Sequence, residues 1–347
     1  MEVVDWSLAR TAGRRLSAPG PHSTPDDARG AVADLRALAR YAVDPVRERT
    51  GLDAGDAEPA VVVDRGTWID SNVDGFRVML APLLERMATE QSSIVTTVGS
   101  RVTALQMGGV LGYLSGKVLG QYEAFTVAGP GRLLLVAPNI VAAERHLDVE
   151  PRDFRLWVCL HEETHRVQFG AVPWLAPHLL AEIHDYLTVS DLGAAETVRR
   201  LRAGFGAVLG VLRGVDGASL VDALQTPEQR VVFDRITALM SLLEGHADYV
   251  MDDVGPEIVP TVATIRARFD KRRTEPGSVD GLARRLLGFD AKMRQYSEGR
   301  AFVAGVVDRV GLDGFNRVWS APGSLPTRDE VLAPEAWCAR VAADLVR

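Results

Sequence analysis

Cysteine is scarce in this chain of 347 residues, which contains only Cys159 and Cys338. Two cysteines cannot build the disulfide framework of a small secreted domain, and both lie in apolar stretches. We therefore predict two buried, reduced thiols. The amino terminus also lacks an apolar segment behind a basic start, so no secretory signal is visible and the expected location is the cytoplasm.

Long apolar runs are missing as well. The most apolar stretch, Val102–Gly116, is bounded by Arg101 and Lys117. It falls short of the roughly 20 residues that a membrane-spanning helix needs. Its glycines indicate instead a buried helix that packs closely on a neighbour. We expect no insertion into a membrane.

The chain also lacks an excess of positive charge. Its 39 basic and 46 acidic residues give a formal charge of −7. Nucleic acids and anionic membranes are bound by basic faces, so we expect no nucleic-acid partner. With 47% hydrophobic and 24% charged residues, the composition is typical of a folded globular chain. Nothing in the pattern specifies an oligomeric state.

Helical periodicity dominates what is present. Thr24-Pro25, followed by two acids, predicts a helix start, and Pro82 predicts a kink or a break in a later helix. Glu150-Pro151 begins another helix, which we expect to run to about Phe169. Further helices are predicted at about 178–190, 194–213, 227–253, 256–272, 279–293 and 297–311.

A strand pattern appears in only one part of the sequence. Ala124–Val127 and Leu133–Val136 have β character, and a turn around Gly129–Gly131 would join them as a hairpin. The expected fold is therefore mainly α with a small β-sheet. We divide it into an amino-terminal helical region (1–122), a central core with a helical insertion (123–255) and a carboxy-terminal helical region (256–347), together forming one compact unit.

The segment DFRLWVCLHEETHRVQF contains two histidines four residues apart, His161 and His165. On a helix this spacing places both imidazoles on one face, which suits two nitrogen ligands of one zinc ion. The apolar Phe154 and Trp157 continue that face, so it points inward. Glu162 follows the first histidine, where its carboxylate can act as general base on a metal-activated water. The same five-residue pattern also arises by chance, so a second segment has to support it.

That second segment is Val232–Asp252, which has an apolar helical face. Glu244 lies on this face between Met240 and Ala247. An inward carboxylate is costly unless it is paired or bound to a metal. We predict Glu244 as the third zinc ligand, with a salt bridge to an arginine as the alternative. Asp248, one turn further on, would accept an N–H from a ligand histidine.

His246 is the rival candidate for the third ligand. It lies about 200° around an ideal helix from Glu244, so it should not share the ion with that residue. If His246 were the ligand, Glu244 would merely pair with an arginine. Two histidines and one carboxylate leave a fourth position for water, which is the pattern of catalytic zinc. We expect one zinc ion per chain.

These motifs resemble a zincin-like family of hydrolases found in actinobacteria and their relatives, often labelled as associated with coenzyme F420 biosynthesis. The resemblance rests on the opening VDWSLARTAGRRLSAPGP, the LLLVAPNI region, LHEETHRVQF and LLEGHADYVMD. It extends to the glutamate-ligand zinc metallopeptidases. It implies a zincin-like architecture, and the F420 label alone predicts no F420 binding.

Residue by residue, the resemblance implies zinc on His161, His165 and Glu244. It also implies Glu162 as general base and Asp248 as the carboxylate that orients a ligand. One departure is the 78 residues between the second histidine and the ligand glutamate, which is long for the better-known peptidases. The intervening helices would form an insertion beside the cleft.

The function expected from the sequence is a zinc-dependent hydrolase, a metallopeptidase that cleaves a peptide or small amide. The alternatives are a zincin scaffold that keeps its metal but serves as a binding or regulatory protein, and a metal-free helical protein. Glu162 favours the enzyme, because a structural metal needs no base. Leu133–Val136 is the candidate edge strand for pairing with an extended substrate, with an ordinary hairpin as the alternative. An oxyanion donor would come from Tyr186, Tyr249 or Tyr296.

Overall fold

The structure is a computed structural model that describes residues 4–55, 58–89, 97–126, 131–189, 199–200, 202–204, 206, 226–274 and 289–345. The helices predicted at 194–213 and 279–293 lie mostly outside these residues. Gly129 and Pro130 of the predicted turn also lie outside them.

Helices make up most of the described chain, together with three short strands. The helices are α1 Trp6–Leu16, α2 Pro25–Thr50, α3 Arg65–Met79, α4 Ala81–Thr89, α5 Thr97–Leu114, α6 Ala137–Leu147, α7 Pro151–Ala171, α8 Leu175–Thr188, α9 Pro227–Asp253, α10 Gly255–Ile258, α11 Val262–Thr274, α12 Phe289–Phe315, α13 Arg328–Leu332 and α14 Pro334–Val341. The strands are β1 Val61–Val63, β2 Gly120–Glu123 and β3 Arg132–Val136. The prediction of a mainly helical fold with a small sheet is confirmed.

Local sequence signals account for several helix ends. The Thr24 side chain caps α2 by accepting a hydrogen bond from the Asp27 backbone N–H, and Pro25 occupies the first turn. The predicted break near Pro82 is present, because α3 ends at Met79 and α4 begins at Ala81. The predicted start of α7 at Pro151 is also confirmed.

The sheet differs from the predicted hairpin. Its strand order is β1-β3-β2, with β1 parallel and β2 antiparallel to β3. The antiparallel partner of β3 is therefore 120–123 and not Ala124–Val127. The observed register places Glu123 opposite Arg132, and their side chains form an ion pair 2.8 Å apart. It also lets Tyr122 stack on Phe169 of α7.

The prediction that Leu133–Val136 is an edge strand is wrong. These residues belong to β3, which is the central strand, because Val61–Val63 pairs with its other side. The outer strands of the described sheet are β1 and β2. Any pairing of a substrate with this sheet has to use one of those two.

Helix α7, which carries His161 and His165, lies inside the main helical layer. It packs against α2 and α9, and buried side chains such as Leu38, Leu160 and Val250 join the three helices in one apolar cluster. Cys159 and Cys338 are buried free thiols, as predicted. Among the described helices, none has both the length and the apolar character that crossing a bilayer requires.

Helix α9 is fixed from its other side by α12. The two helices touch backbone to backbone, because a Cβ atom added to Gly245 would lie 2.1 Å from the carbonyl carbon of Gly299. A Cβ atom added to Gly299 would lie 2.0 Å from the backbone oxygen of Ser241. Only glycine fits at either position, and this contact lies directly beside Glu244.

Candidate metal centre

The two histidines of α7 face each other one helical turn apart. Their ring centroids are 4.8 Å apart, and their Nε2 atoms are 3.2 Å apart. Both side chains are mostly buried but reach an open side, with 21% exposure at His161 and 13% at His165. The helix therefore presents two imidazole nitrogens to one point.

Glu244 of α9 completes the group. Its Oε2 atom lies 3.5 Å from His161 Nε2 and 3.7 Å from His165 Nε2. Among the described residues, the partners of this carboxylate are therefore the two imidazoles and not an arginine. The three residues form a cluster in which one potential ligand atom from each lies within 4.8 Å of the others.

The geometry of this cluster fits a divalent metal ion. Tetrahedral zinc with ligand bonds of about 2.0–2.2 Å holds neighbouring ligand atoms about 3.3–3.5 Å apart. The three separations in the cluster run from 3.2 to 3.7 Å. Two imidazole nitrogens and one carboxylate oxygen are also a known donor set for catalytic zinc. The residues present could therefore hold such an ion.

The charges within the cluster depend strongly on one another. Burial raises the pKa of Glu244, but the neighbouring His161 and His165 outweigh it and hold that pKa well below its ordinary value. Burial likewise works against a charged His165, yet the Glu244 carboxylate raises its pKa to about 9. At neutral pH the metal-free cluster therefore holds a proton that a metal ion has to displace.

We expect this proton to make zinc binding pH-dependent. Because a ligand imidazole must be neutral, the apparent affinity should rise about tenfold per pH unit from pH 7 to the pKa of His165 and then level off. Competition titrations against a chromophoric chelator, corrected for the chelator's own protonation, measure this directly. Glu244→Gln should move the plateau to lower pH, because it removes the charge that raises the histidine pKa. An affinity that stays constant between pH 7 and 9 would contradict the expectation.

Glu162 lies beside the cluster and against the sheet. Its side chain is buried, and burial raises its pKa, while the neighbouring His161 and His165 lower it. A Cβ atom added to Gly120 of β2 would lie only 2.5 Å from the Glu162 carboxyl carbon. The carboxylate is therefore packed on the backbone of an outer strand, where only glycine leaves it room.

Asp248 lies near the cluster without completing a hydrogen bond to it. Its Oδ1 atom is 3.9 Å from His161 Nδ1, which exceeds hydrogen-bond length. The same Nδ1 atom is 3.0 Å from the Met251 sulfur, and Arg266 Nη1 is 3.9 Å from the Asp248 oxygen. The role of Asp248 as an orienting carboxylate therefore stays a prediction.

Sequence reasoning missed Gln168. This fully buried side chain places its Oε1 atom 2.9 Å from His165 Nδ1. Its Nε2 atom is 2.9 Å from the Leu243 backbone oxygen and 3.1 Å from His246 Nδ1. The spacing of three residues from His165 puts both side chains on one helix face, so this partner was detectable in the sequence. His246 lies behind Gln168 and is not a member of the three-residue cluster.

The tyrosines considered as oxyanion donors occupy different places. Tyr186 packs on Phe233, with ring centroids 6.3 Å apart. Tyr249 lies on α9, where burial raises its pKa. The side chain of Tyr296 lies outside the described residues. The identity of the donor stays a prediction.

Comparison with known proteins gives two matches. The model of the zincin-like metallopeptidase family matches residues 4–338. A crystal structure from Chloroflexus aurantiacus, described as that of a presumed hydrolase with a novel fold, is similar to this chain with a TM-score of 0.68 and 31% sequence identity. That match covers 98% of this chain and 99% of the other. No curated protein matches the chain.

Proposed function

Because the chain belongs to the zincin-like metallopeptidase family, we propose that it is a zinc-dependent hydrolase that cleaves a peptide or small amide bond. This proposal rests on one observation. The structure brings His161, His165 and Glu244 together beside the buried Glu162. The three-residue cluster supplies ligands for one zinc ion per chain. Glu162 is not one of these ligands and lies beside them, where it would act as a base.

A zinc ion bound there would supply Lewis-acid chemistry, polarising a carbonyl and lowering the pKa of water. Glu162 would accept the proton of the attacking water on a carboxylate oxygen and pass it to the departing nitrogen. Burial raises the pKa of Glu162, which brings it closer to the range where one group can both take and give a proton. The fixed packing on Gly120 would hold the carboxylate in place for both transfers.

We propose β2, and not β3, as the strand that pairs with substrate. The Val136 N–H donates to the Leu119 oxygen, and bonded pairs alternate along an antiparallel ladder. The backbone groups of Gly120 and Tyr122 therefore point away from β3, toward the outer side of the sheet. Because Gly120 also touches Glu162, an extended peptide added at this edge would pass beside the cluster. This arrangement favours a peptide over a compact amide.

The second candidate is a binding or regulatory protein that retains the metal. It would share the three-residue cluster but would have no use for Glu162 as a base. The cytoplasmic location that we predict from the sequence stays part of the same proposal.

The test begins with metal content. Elemental analysis of untagged protein, purified without chelator, should give about one zinc per chain. A peptide library, read by mass spectrometry, should then show cleavage that stops on chelation and returns when zinc is added back. Failure to hold or take up zinc would overturn the proposal. Bound zinc without cleavage would favour the binding protein.

A further inference from the structure

Gln168 is a buried amide, and its polar contacts within the described part of the chain are with His165 and with two residues of α9, Leu243 and His246. It is 0% exposed and lies on α7, one turn after His165. The backbone oxygen of Leu243 can only accept a hydrogen bond, so the atom 2.9 Å from it has to be the donating Nε2. The orientation of the amide is therefore settled by its surroundings.

That orientation determines the proton position on His165. The remaining amide atom, Oε1, can only accept, and it lies 2.9 Å from His165 Nδ1. The imidazole therefore carries a proton on Nδ1. Once the ring is neutral, its Nε2 atom has a free lone pair directed at His161 and Glu244. This is the form that a metal ion requires of a ligand histidine.

His246 holds the other end of the amide. The second N–H of Gln168 points to His246 Nδ1 at 3.1 Å, so that nitrogen accepts. The His246 ring is 1% exposed and packs against Phe315 and Trp319, with ring centroids 5.1 and 5.5 Å away. The aromatic pocket thus fixes the histidine, and the histidine fixes the amide.

We propose that Gln168, supported by His246, is a positioning residue that sets the tautomer and direction of His165 for the metal. The inference rests on the proposed metal site and goes beyond it by assigning an orienting group. Through the Leu243 oxygen the same amide also ties α7 to α9 at the residue before Glu244. One side chain therefore fixes two of the three ligands relative to each other. Outer partners of ligand histidines are typically worth about 10–100-fold in metal affinity.

The test compares zinc affinity in four proteins by chelator competition. Gln168→Met keeps the volume and removes the amide, so zinc should bind about 10–100-fold more weakly than to wild type. Gln168→Glu restores an acceptor for His165 Nδ1 and should recover part of that loss. The matched control is Gln229→Met, which also removes a buried amide. It lies about 22 Å along α9 from Glu244 and should bind zinc within about twofold of wild type.

A second measurement determines the His165 tautomer in the wild-type protein itself. Long-range ¹H–¹⁵N spectra of the zinc-loaded wild type, assigned with His165→Asn, should show a proton on His165 Nδ1 and coordination through Nε2. Coordination through Nδ1, or wild-type affinity in Gln168→Met, would overturn the inference and leave the metal site standing. A wild-type protein that binds no zinc would overturn both.

Discussion

Glu162→Gln should lower kcat by about 10²–10⁴-fold while the protein keeps its zinc. Glutamine preserves the size of the side chain and its packing on Gly120, so the cluster of His161, His165 and Glu244 should stay assembled. An amide cannot take up the proton that the carboxylate is proposed to accept. The effect should therefore appear in turnover and not in metal content. Initial rates on a peptide found by library screening, together with elemental analysis of the same preparation, check both parts.

The neighbouring acid offers a matched control. Glu163 is also buried, but its carboxylate pairs with Arg166 at 2.5 Å. Glu163→Gln should destabilise the fold, because it leaves the arginine without its buried partner, yet folded molecules should retain turnover. Loss of zinc in Glu162→Gln, or full activity in that variant, would contradict the proposed role of Glu162.

Removal of Glu244 should have the largest effect on the metal. Loss of a group that only orients a ligand typically costs about 10–100-fold in metal affinity. Glu244→Ala should weaken zinc binding by more than this, because it deletes a proposed ligand. It should also lower the pKa of His165, since that carboxylate is what raises it against the effect of burial. Calorimetric or competition titration gives the affinity, and histidine NMR titration of the metal-free protein gives the pKa.

The competing assignment makes His246 the third ligand and leaves Glu244 as a structural acid. It predicts that zinc is lost in His246→Ala and retained in Glu244→Ala. We expect the reverse ranking, with His246→Ala costing no more than loss of an orienting group. Urea unfolding of both metal-free variants separates a direct effect on binding from a general loss of stability.

The parts of the site that local periodicity encodes were predictable from the sequence. The ends of α7 follow from Pro151 and its apolar face, and the spacing of His161 and His165 places both on that face. Glu244 was detectable because a carboxylate on an apolar stripe needs a partner. That these two helices meet was an inference from chemistry, which the structure reproduces as a three-residue cluster.

What the sequence did not reveal depends on contacts between distant segments. Val61–Val63 is too short to show the alternating pattern of a strand, so its pairing with β3 was not predicted. The central position of β3 in the sheet was missed for the same reason. Helix α6 was not predicted, although Pro138 occupies its first turn, where proline is well tolerated. The domain boundaries proposed from the sequence stay a prediction.

The backbone contact between Gly245 and Gly299 makes the two positions epistatic. A methyl group at Gly245 or at Gly299 would push α9 away from α12. Once the two helices are separated, a methyl group at the other glycine would meet a smaller steric clash. The loss of unfolding free energy in the double variant should therefore be smaller than the sum of the losses in the two single variants. Because Gly245 adjoins Glu244, the same displacement would move a proposed ligand. Substitution of either glycine would therefore disturb the cluster of His161, His165 and Glu244, although neither glycine belongs to it.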